Sequence, residues 1–344
     1  MVIGVSCAEI FLRWTNCPES MLPQATTYFR IYFLGVPIIL LYNFLAAILR
    51  ASGDTKRPMY FLILGGIVKI ILNICLILVF DMTVEGVAIA TIVSNGIAGG
   101  LSLWVLFKER EKFHFHFKDL RIKMFELKQI LFIGIPTGMQ SALYSFANVI
   151  ITTAVNSFGE YATTGVSIAN QFDGILYYVA VAPSLAATPY ISQNLGAGNL
   201  KRAKEAVLKA TLIAIGFGAS IGSLFAIFSG QLSSIMSTTP EVIHYSQQKM
   251  ILISSTYFIC GINEIMGGAL KGMGKPIVPM VATMLFMCAI RFVWVYLIFP
   301  LCPNLTFLYL IWPIGWILSI AMLLVVYFRS MSRLEKNIKI TAAN

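Results

Sequence analysis

The chain has 344 residues, of which 58% are hydrophobic and 12% charged, with 25 Lys and Arg against 15 Asp and Glu. Soluble domains carry about 25% charged residues, so this composition excludes a water-soluble globule. The net charge of +10 would suit a nucleic-acid partner, but the positions of the charges account for it otherwise.

Residues 1–13 form a short apolar segment that contains Glu9 and Arg13. It has no basic leading region, so it does not read as a cleavable signal peptide. At 1.5 Å per residue it covers roughly 20 Å of a hydrocarbon core about 30 Å thick, so it is predicted to be the end of a longer helix. Nine full-length apolar segments follow, near 24–49, 58–79, 86–107, 129–155, 164–192, 206–230, 246–270, 276–299 and 307–328. Each is long enough to span a bilayer as a helix.

Charge sorts the connections between them. Stretches 50–57, 108–128, 193–209, 271–275 and 329–344 hold 20 of the 25 Lys and Arg. The alternate stretches 14–27, 80–85, 156–163, 231–245 and 300–306 hold none, and carry only Glu19, Asp81, Glu85, Glu160 and Glu241. Basic loops stay on the cytoplasmic side, so the pattern predicts a multi-pass protein of the cell membrane with a cytoplasmic C-terminus. It explains the basic balance through the lipid bilayer and calls for no nucleic acid. The longest loop contains Lys108-Glu-Arg-Glu-Lys-Phe-His-Phe-His-Phe117. Interleaved aromatic and basic residues fit an interfacial segment on anionic headgroups better than a metal site at His114 and His116. This loop, 108–128, is the expected linker between two lobes. Cys7, Cys17, Cys75, Cys260, Cys288 and Cys302 form no C-x-x-C pair, and no metal or redox role is assigned to them.

An internal repeat supports two lobes. Asn43-Phe-Leu-Ala-Ala-Ile-Leu-Arg-Ala-Ser-Gly53 aligns with Glu264-Ile-Met-Gly-Gly-Ala-Leu-Lys-Gly-Met-Gly274 at an offset of 221. At that offset Pro58 meets Pro279 and Met59 meets Met280. Both copies end helices on the basic side, so the repeat is parallel, about an axis along the membrane normal. The offset puts the counterpart of Glu126 about 95 residues before Met1, room for two helices and most of a third.

Tyr28-x-Arg30 to Pro37, Leu49-Arg-Ala-x-Gly-Asp-Thr-Lys-Arg-Pro58, Asn73 and Gly86-Val-Ala-Ile-Ala-Thr91 carry a family resemblance. It continues through Gly134-Ile-Pro136, Gln140-Ser141, Asn156-Ser-Phe-Gly159, Ala169-Asn170 and Gln193-Asn-Leu-Gly-Ala-Gly198. In this order and spacing they resemble the multidrug and toxic compound extrusion (MATE) family. The resemblance implies an all-α membrane protein, a two-lobed bundle of transmembrane helices with about ten of twelve present. Residues 1–107 would run from the last part of helix 3 to helix 6. Residues 129–328 would form a six-helix second lobe, and 329–344 a cytoplasmic tail. It also implies a transporter and no enzyme: a monomer exporting amphipathic organic cations, drugs or toxins by antiport. The coupling ion would be H+ or Na+, with no other cofactor. No phosphate-binding loop is present to make the chain an ATPase, and no H-E-x-x-H motif to make it a metalloenzyme. The alternatives are a lipid-linked oligosaccharide flippase of related fold, which should have a more cationic cleft, and a membrane receptor.

Polar residues inside spans mark candidate sites, since a charge at the bilayer centre costs about 2.5–3.5 kcal/mol on insertion scales. Glu264 lies about six residues inside its helix end. It could exchange a proton, ligate Na+ through oxygen, or pair with Arg291. The family places coupling carboxylates on the first and fourth helices of this lobe. Here the first, 129–155, offers only Gln140 and Asn148. Asn170 and Asp173 share a helix face, with Tyr177 one turn on. They could meet a cationic substrate or form an interhelical network. The expected coupling residues are therefore Glu264 and Asp173, and the expected cleft residues Gln140, Asn148, Asn170, Tyr177 and Asn43. Lys69 could snorkel or pair with a carboxylate outside this chain, and Arg30 and Lys249 are expected to snorkel. Gly96-x3-Gly100, Gly134-x3-Gly138 and Gly218-x3-Gly222 would let helices approach closely. Pro37, Pro136, Pro183 and Pro313 would bend spans.

Overall fold

A computed structural model describes residues 1–14, 19, 22–109 and 121–343. The His114 and His116 pair, most of the 108–128 linker and Cys17 lie outside the described residues. Two compact units divide between Arg121 and Ile122.

The first unit contains α1 (Val2–Ser6), α2 (Ala8–Trp14), α3 (Leu22–Ala51), α4 (Lys56–Leu78) and α5 (Val84–Lys108). The second contains α6 (Met124–Asn156), α7 (Glu160–Gly196), α8 (Leu200–Ile227), α9 (Ser229–Met236) and α10 (Pro240–Gly272). It continues with α11, a composite span over Ile277–Leu301, then α12 (Leu305–Tyr309) and α13 (Ile311–Ala343). Among the described residues no strand occurs, and nine helices are long and apolar enough to cross a membrane. They coincide with the nine predicted spans and mostly run further at their ends, except that α4 stops at Leu78, α8 at Ile227 and α11 starts at Ile277. The apolar run marks only the stretch matched to hydrocarbon, whereas backbone hydrogen bonding carries the helix on into polar flanks.

The environment of each span follows from its sequence. α4 is apolar all round and buries only Pro58 and Gly65, leaving Ile63, Ile67, Ile70, Ile71 and Ile74 exposed. Such a surface suits lipid and not water. α10 is the centre of the second unit, packed by α7, α8 and α13, and it buries a stripe from Val242 through Ser246, Ile253 and Tyr257 to Leu270. Two cores form around it. One joins Ile151, Leu176, Tyr257 and Trp316, and the other Ile191, Val207, Leu270 and Tyr327. In the first unit Leu45 and Leu49 of α3 pack on Val105 and Leu106 of α5.

Gly218 and Gly222 meet the expectation of close approach. A Cβ at Gly222 would stand 2.1 Å from the Ser254 carbonyl oxygen, and one at Gly218 would stand 2.8 Å from the Phe258 Cα. Gly134, Gly138 and Gly100 have no neighbour within 4 Å of where a Cβ would lie, so their small-residue spacing does not make a helix contact among the described residues.

The two repeat segments end alike. Gly53 and Gly274 take φ of +89° and +73°. Gly53 donates to the Arg50 carbonyl and Asp54 to the Leu49 carbonyl, while Gly274 donates to Lys271 and Lys275 to Leu270, all at 2.9–3.0 Å. This is the Schellman closure, in which a left-handed residue lets the chain turn back on the last free carbonyls. Leu49 and Leu270, which accept the longer bond, are both fully buried.

Candidate functional site

The polar residues of the second unit converge on one cavity of about 420 Å³ within that unit. Tyr144 and Asn148 reach it from α6, Asn170, Asp173 and Tyr177 from α7, Lys249 and Tyr257 from α10, and Trp312 from α13. The i, i+3 and i+4 spacing of Asn170, Asp173 and Tyr177 turns all three toward it, as the sequence suggested.

Lys249 is the main correction to the sequence reading. It does not snorkel: it is 2% exposed and its Nζ lies 2.7 Å from Asp173 Oδ2. The same ammonium donates to Asn170 Oδ1 and lies 5.9 Å from the centre of the Trp312 ring. A desolvated ammonium needs such a shell of carboxylate, amide oxygen and aromatic face. Asp173 Oδ1 is buried and bonded to no protein group among the described residues. Tyr257 Oη donates to the Asp173 backbone carbonyl at 3.2 Å, tying α10 to α7 at the level of the pair.

Arg291 is 0% exposed and does not pair with Glu264. Its Nη1 donates to Asn148 Oδ1 at 2.8 Å, and its guanidinium lies 4.9 Å from the Trp312 ring centre and 5.4 Å from that of Tyr144. Two π-helical turns, Met284–Ala289 and Trp294–Ile298, flank the four residues that carry it. Such turns recur where a helix must re-aim a side chain.

Glu264 is half-buried, near enough to Tyr144 and Tyr177 to act electrostatically on both, and it makes no ion pair among the described residues. Ser184 Oγ donates to its backbone carbonyl at 2.8 Å. The remaining candidates lie elsewhere. Gln140 Nε2 donates to Thr283 Oγ1 at 3.1 Å, a bond between α6 and α11. Asn43, in the first unit, is exposed and bonds to the Ile39 carbonyl of its own helix at 2.9 Å. Lys69 is half-buried and makes no ion pair among the described residues. Arg30 is exposed beside Thr26, Glu9 and Glu19.

Sequence reasoning left Lys249 out of the site and passed over Tyr257 and Trp312. For the first two the signal was present. Ser246, Lys249, Ile253 and Tyr257 follow one another at three- and four-residue steps on the inward stripe of α10.

The MatE family model matches residues 1–75 and 136–297, over half of the chain. The chain is 29% identical over 290 residues to the probable multidrug resistance protein YpnP of Bacillus subtilis, an alignment covering 84% of this chain and 64% of that protein. It is 26% identical over 262 residues to the FAD transporter of Shewanella oneidensis, covering 75% of this chain and 58% of the relative. The chain thus spans less than two thirds of the length of these relatives. Its fold is similar to that of the Vibrio cholerae MATE transporter VcmN in the bent form, with a TM-score of 0.85 at 19% identity over 97% of this chain and 75% of that one. The family match, with the helical fold and nine candidate spans behind it, places this chain in the MatE family of membrane transporters.

Proposed function

We propose that this chain acts in secondary active export of amphipathic organic cations, drugs or toxins, in antiport with protons or sodium. It would do so in the cell membrane with its C-terminus in the cytoplasm, as a monomer. Residues 1–107 would belong to one lobe, 108–128 to a linker and 129–328 to the other lobe. The observation that carries the reading is the cavity with Asp173 on one wall and Tyr144, Tyr177, Tyr257 and Trp312 around it. Aromatic faces and a carboxylate are what a lipophilic cation requires, and the Lys249 ammonium already sits in that shell. The likeness to a probable multidrug resistance protein of Bacillus subtilis supports drugs as the cargo.

Asp173 and Glu264 together balance Lys249 and Arg291. This evenness speaks against the pyrophosphate of a lipid-linked oligosaccharide, which would ask for an excess of positive charge. Glu264 is the proposed coupling group. Ionised, it binds the incoming cation, and neutralised, its cost in the apolar interior falls and the site can reclose. Entry of one charge down 100 mV supplies about 2.3 kcal/mol to drive export.

The test is accumulation of ethidium in cells stripped of other pumps. Expression of the chain should lower accumulation, and collapsing the proton and sodium gradients should restore it. Accumulation that does not respond to either gradient rules out coupled export.

A further inference from the structure

We propose that Asp173 and Lys249 form an exchange device in which an organic cation takes the place of the Lys249 ammonium against Asp173, and Lys249 gives up one proton to water. This rests on the reading of the cavity as the substrate site, and it goes further by giving the displacement step of the substrate to Lys249, with Glu264 left as the group that takes the driving cation.

Lys249 is held as a tethered cation in a site built for cations. It lines the cavity, bonds to Asp173 Oδ2 and Asn170 Oδ1, and faces Trp312. The second carboxylate oxygen, Asp173 Oδ1, is buried and without a protein donor among the described residues, so the carboxylate keeps an unspent acceptor for the cation that takes the place of Lys249. A free organic cation and the lysine head compete for the same carboxylate, amide oxygen and ring. Once the cation is seated, a charged Lys249 would be a buried ammonium stripped of its counter-charge. Loss of one proton removes that unpaired charge from the cavity and with it the cost of a buried ion that has lost its partner.

The step balances. One N–H bond of the ammonium breaks, its electron pair remains on Nζ as the amine lone pair, and the proton leaves as hydronium. One organic cation enters, so the charge of the cavity is unchanged. The reverse step, reprotonation of Lys249, expels the cation from Asp173.

The other groups facing the pair do not substitute for it. Tyr144 and Tyr177 on the neighbouring helices, Tyr257 on α10 and Tyr309 on α12 are phenols, neutral near pH 7. Arg291 across the Trp312 ring keeps its proton in proteins. Glu264 lies further along α10 and makes no contact with Asp173 among the described hydrogen bonds and ion pairs.

The full chain in lipid nanodiscs, titrated with tetraphenylphosphonium in weak buffer at neutral pH beside a pH-sensitive dye, tests the device. Roughly one proton should appear per cation bound, the stoichiometry that linkage requires of a one-for-one exchange. Lys249→Arg keeps the ion pair to Asp173 but has no proton to release. It should bind tetraphenylphosphonium at least about tenfold more weakly and release none. The double variant Lys249→Met with Asp173→Asn removes both charges together, so no buried charge is left alone, and it too should release none. Thermal unfolding of each variant confirms that it is folded. Tetraphenylphosphonium binding without proton release, or release that persists in Lys249→Arg, overturns the exchange and leaves the cavity as the substrate site. Failure of the wild-type chain to bind tetraphenylphosphonium overturns the cationic reading of the cavity and the exchange with it.

Discussion

Asn43 and Glu264 occupy the same place in two helix ends that close with the same pair of hydrogen bonds and the same left-handed glycine. Asn43 is exposed and spends its amide on the Ile39 carbonyl of its own helix. Glu264 is half-buried beside Tyr144 and Tyr177, and its backbone carbonyl is bound by Ser184 from α7. The buried leucine and the left-handed glycine are backbone architecture, and both copies keep them. The residue one and a half turns earlier is free to differ, and there one copy carries an ionisable group and the other does not. A duplicated scaffold can therefore supply symmetry of movement and asymmetry of chemistry from the same segment.

Four sets of variants break or sharpen that comparison. The largest effect is expected at the polar positions themselves. Glu264→Gln should abolish gradient-driven ethidium export, by more than about a hundredfold, while membrane insertion stays intact; Asn43→Ala should change it less than about twofold. Equal losses at both positions would mean that the copies share one role. Next is the ion pair on the cavity wall. Asp173→Ala strands the Lys249 ammonium and should lower stability by about 3–5 kcal/mol in a thermal or denaturant unfolding measurement, with partial recovery when Lys249→Met is added. Gly222→Ala follows. Its Cβ would meet the Ser254 carbonyl, and the shift needed should cost about 1–3 kcal/mol, whereas Gly134→Ala, with no neighbour in reach, should be neutral or stabilising. Smallest are the two caps. Gly53→Ala and Gly274→Ala should each cost about 1–2 kcal/mol, and by similar amounts, because both must hold a side chain in the left-handed region. A cost at Gly274 alone would show that the caps are alike in geometry but not in load.

Much of this molecule was legible before folding. Apolar length gave the nine spans, since a membrane helix must satisfy its backbone internally and match the hydrocarbon. The helical steps of Asn170, Asp173 and Tyr177 gave one wall of the cavity. Asn43 bonds to its own helix and Gln140 bridges two helices, contacts that the polar character of a residue in a span does not reveal. Lys249 was misjudged because the length of its side chain makes snorkelling the default near a helix end, and only the position of Asp173 on another helix decides against it. Arg291 was seen to be deep, but its partner was not. An arginine with a nearby acid invites an ion pair, and Asn148 on α6 is nearer in space while being 143 residues distant in sequence.

The π-helical turn at Met284–Ala289 has a geometric consequence for α11. Thr283 bonds to Gln140 and Arg291 bonds to Asn148, so two residues of α11 eight positions apart both address α6. In an uninterrupted α-helix eight residues turn through roughly 800°, which leaves the second side chain about 80° away from the first. A π turn takes up one residue without advancing the helix by its usual 100°, which brings the two to within about 20° of a common meridian. The wide turn thus acts as an inserted residue that keeps α11 facing one neighbour along its length. Rewinding that turn as regular α-helix with all its residues kept would swing the guanidinium by about 100° off Asn148 and the Trp312 ring, whereas deleting one residue between 284 and 289 would restore regular winding and leave it facing α6.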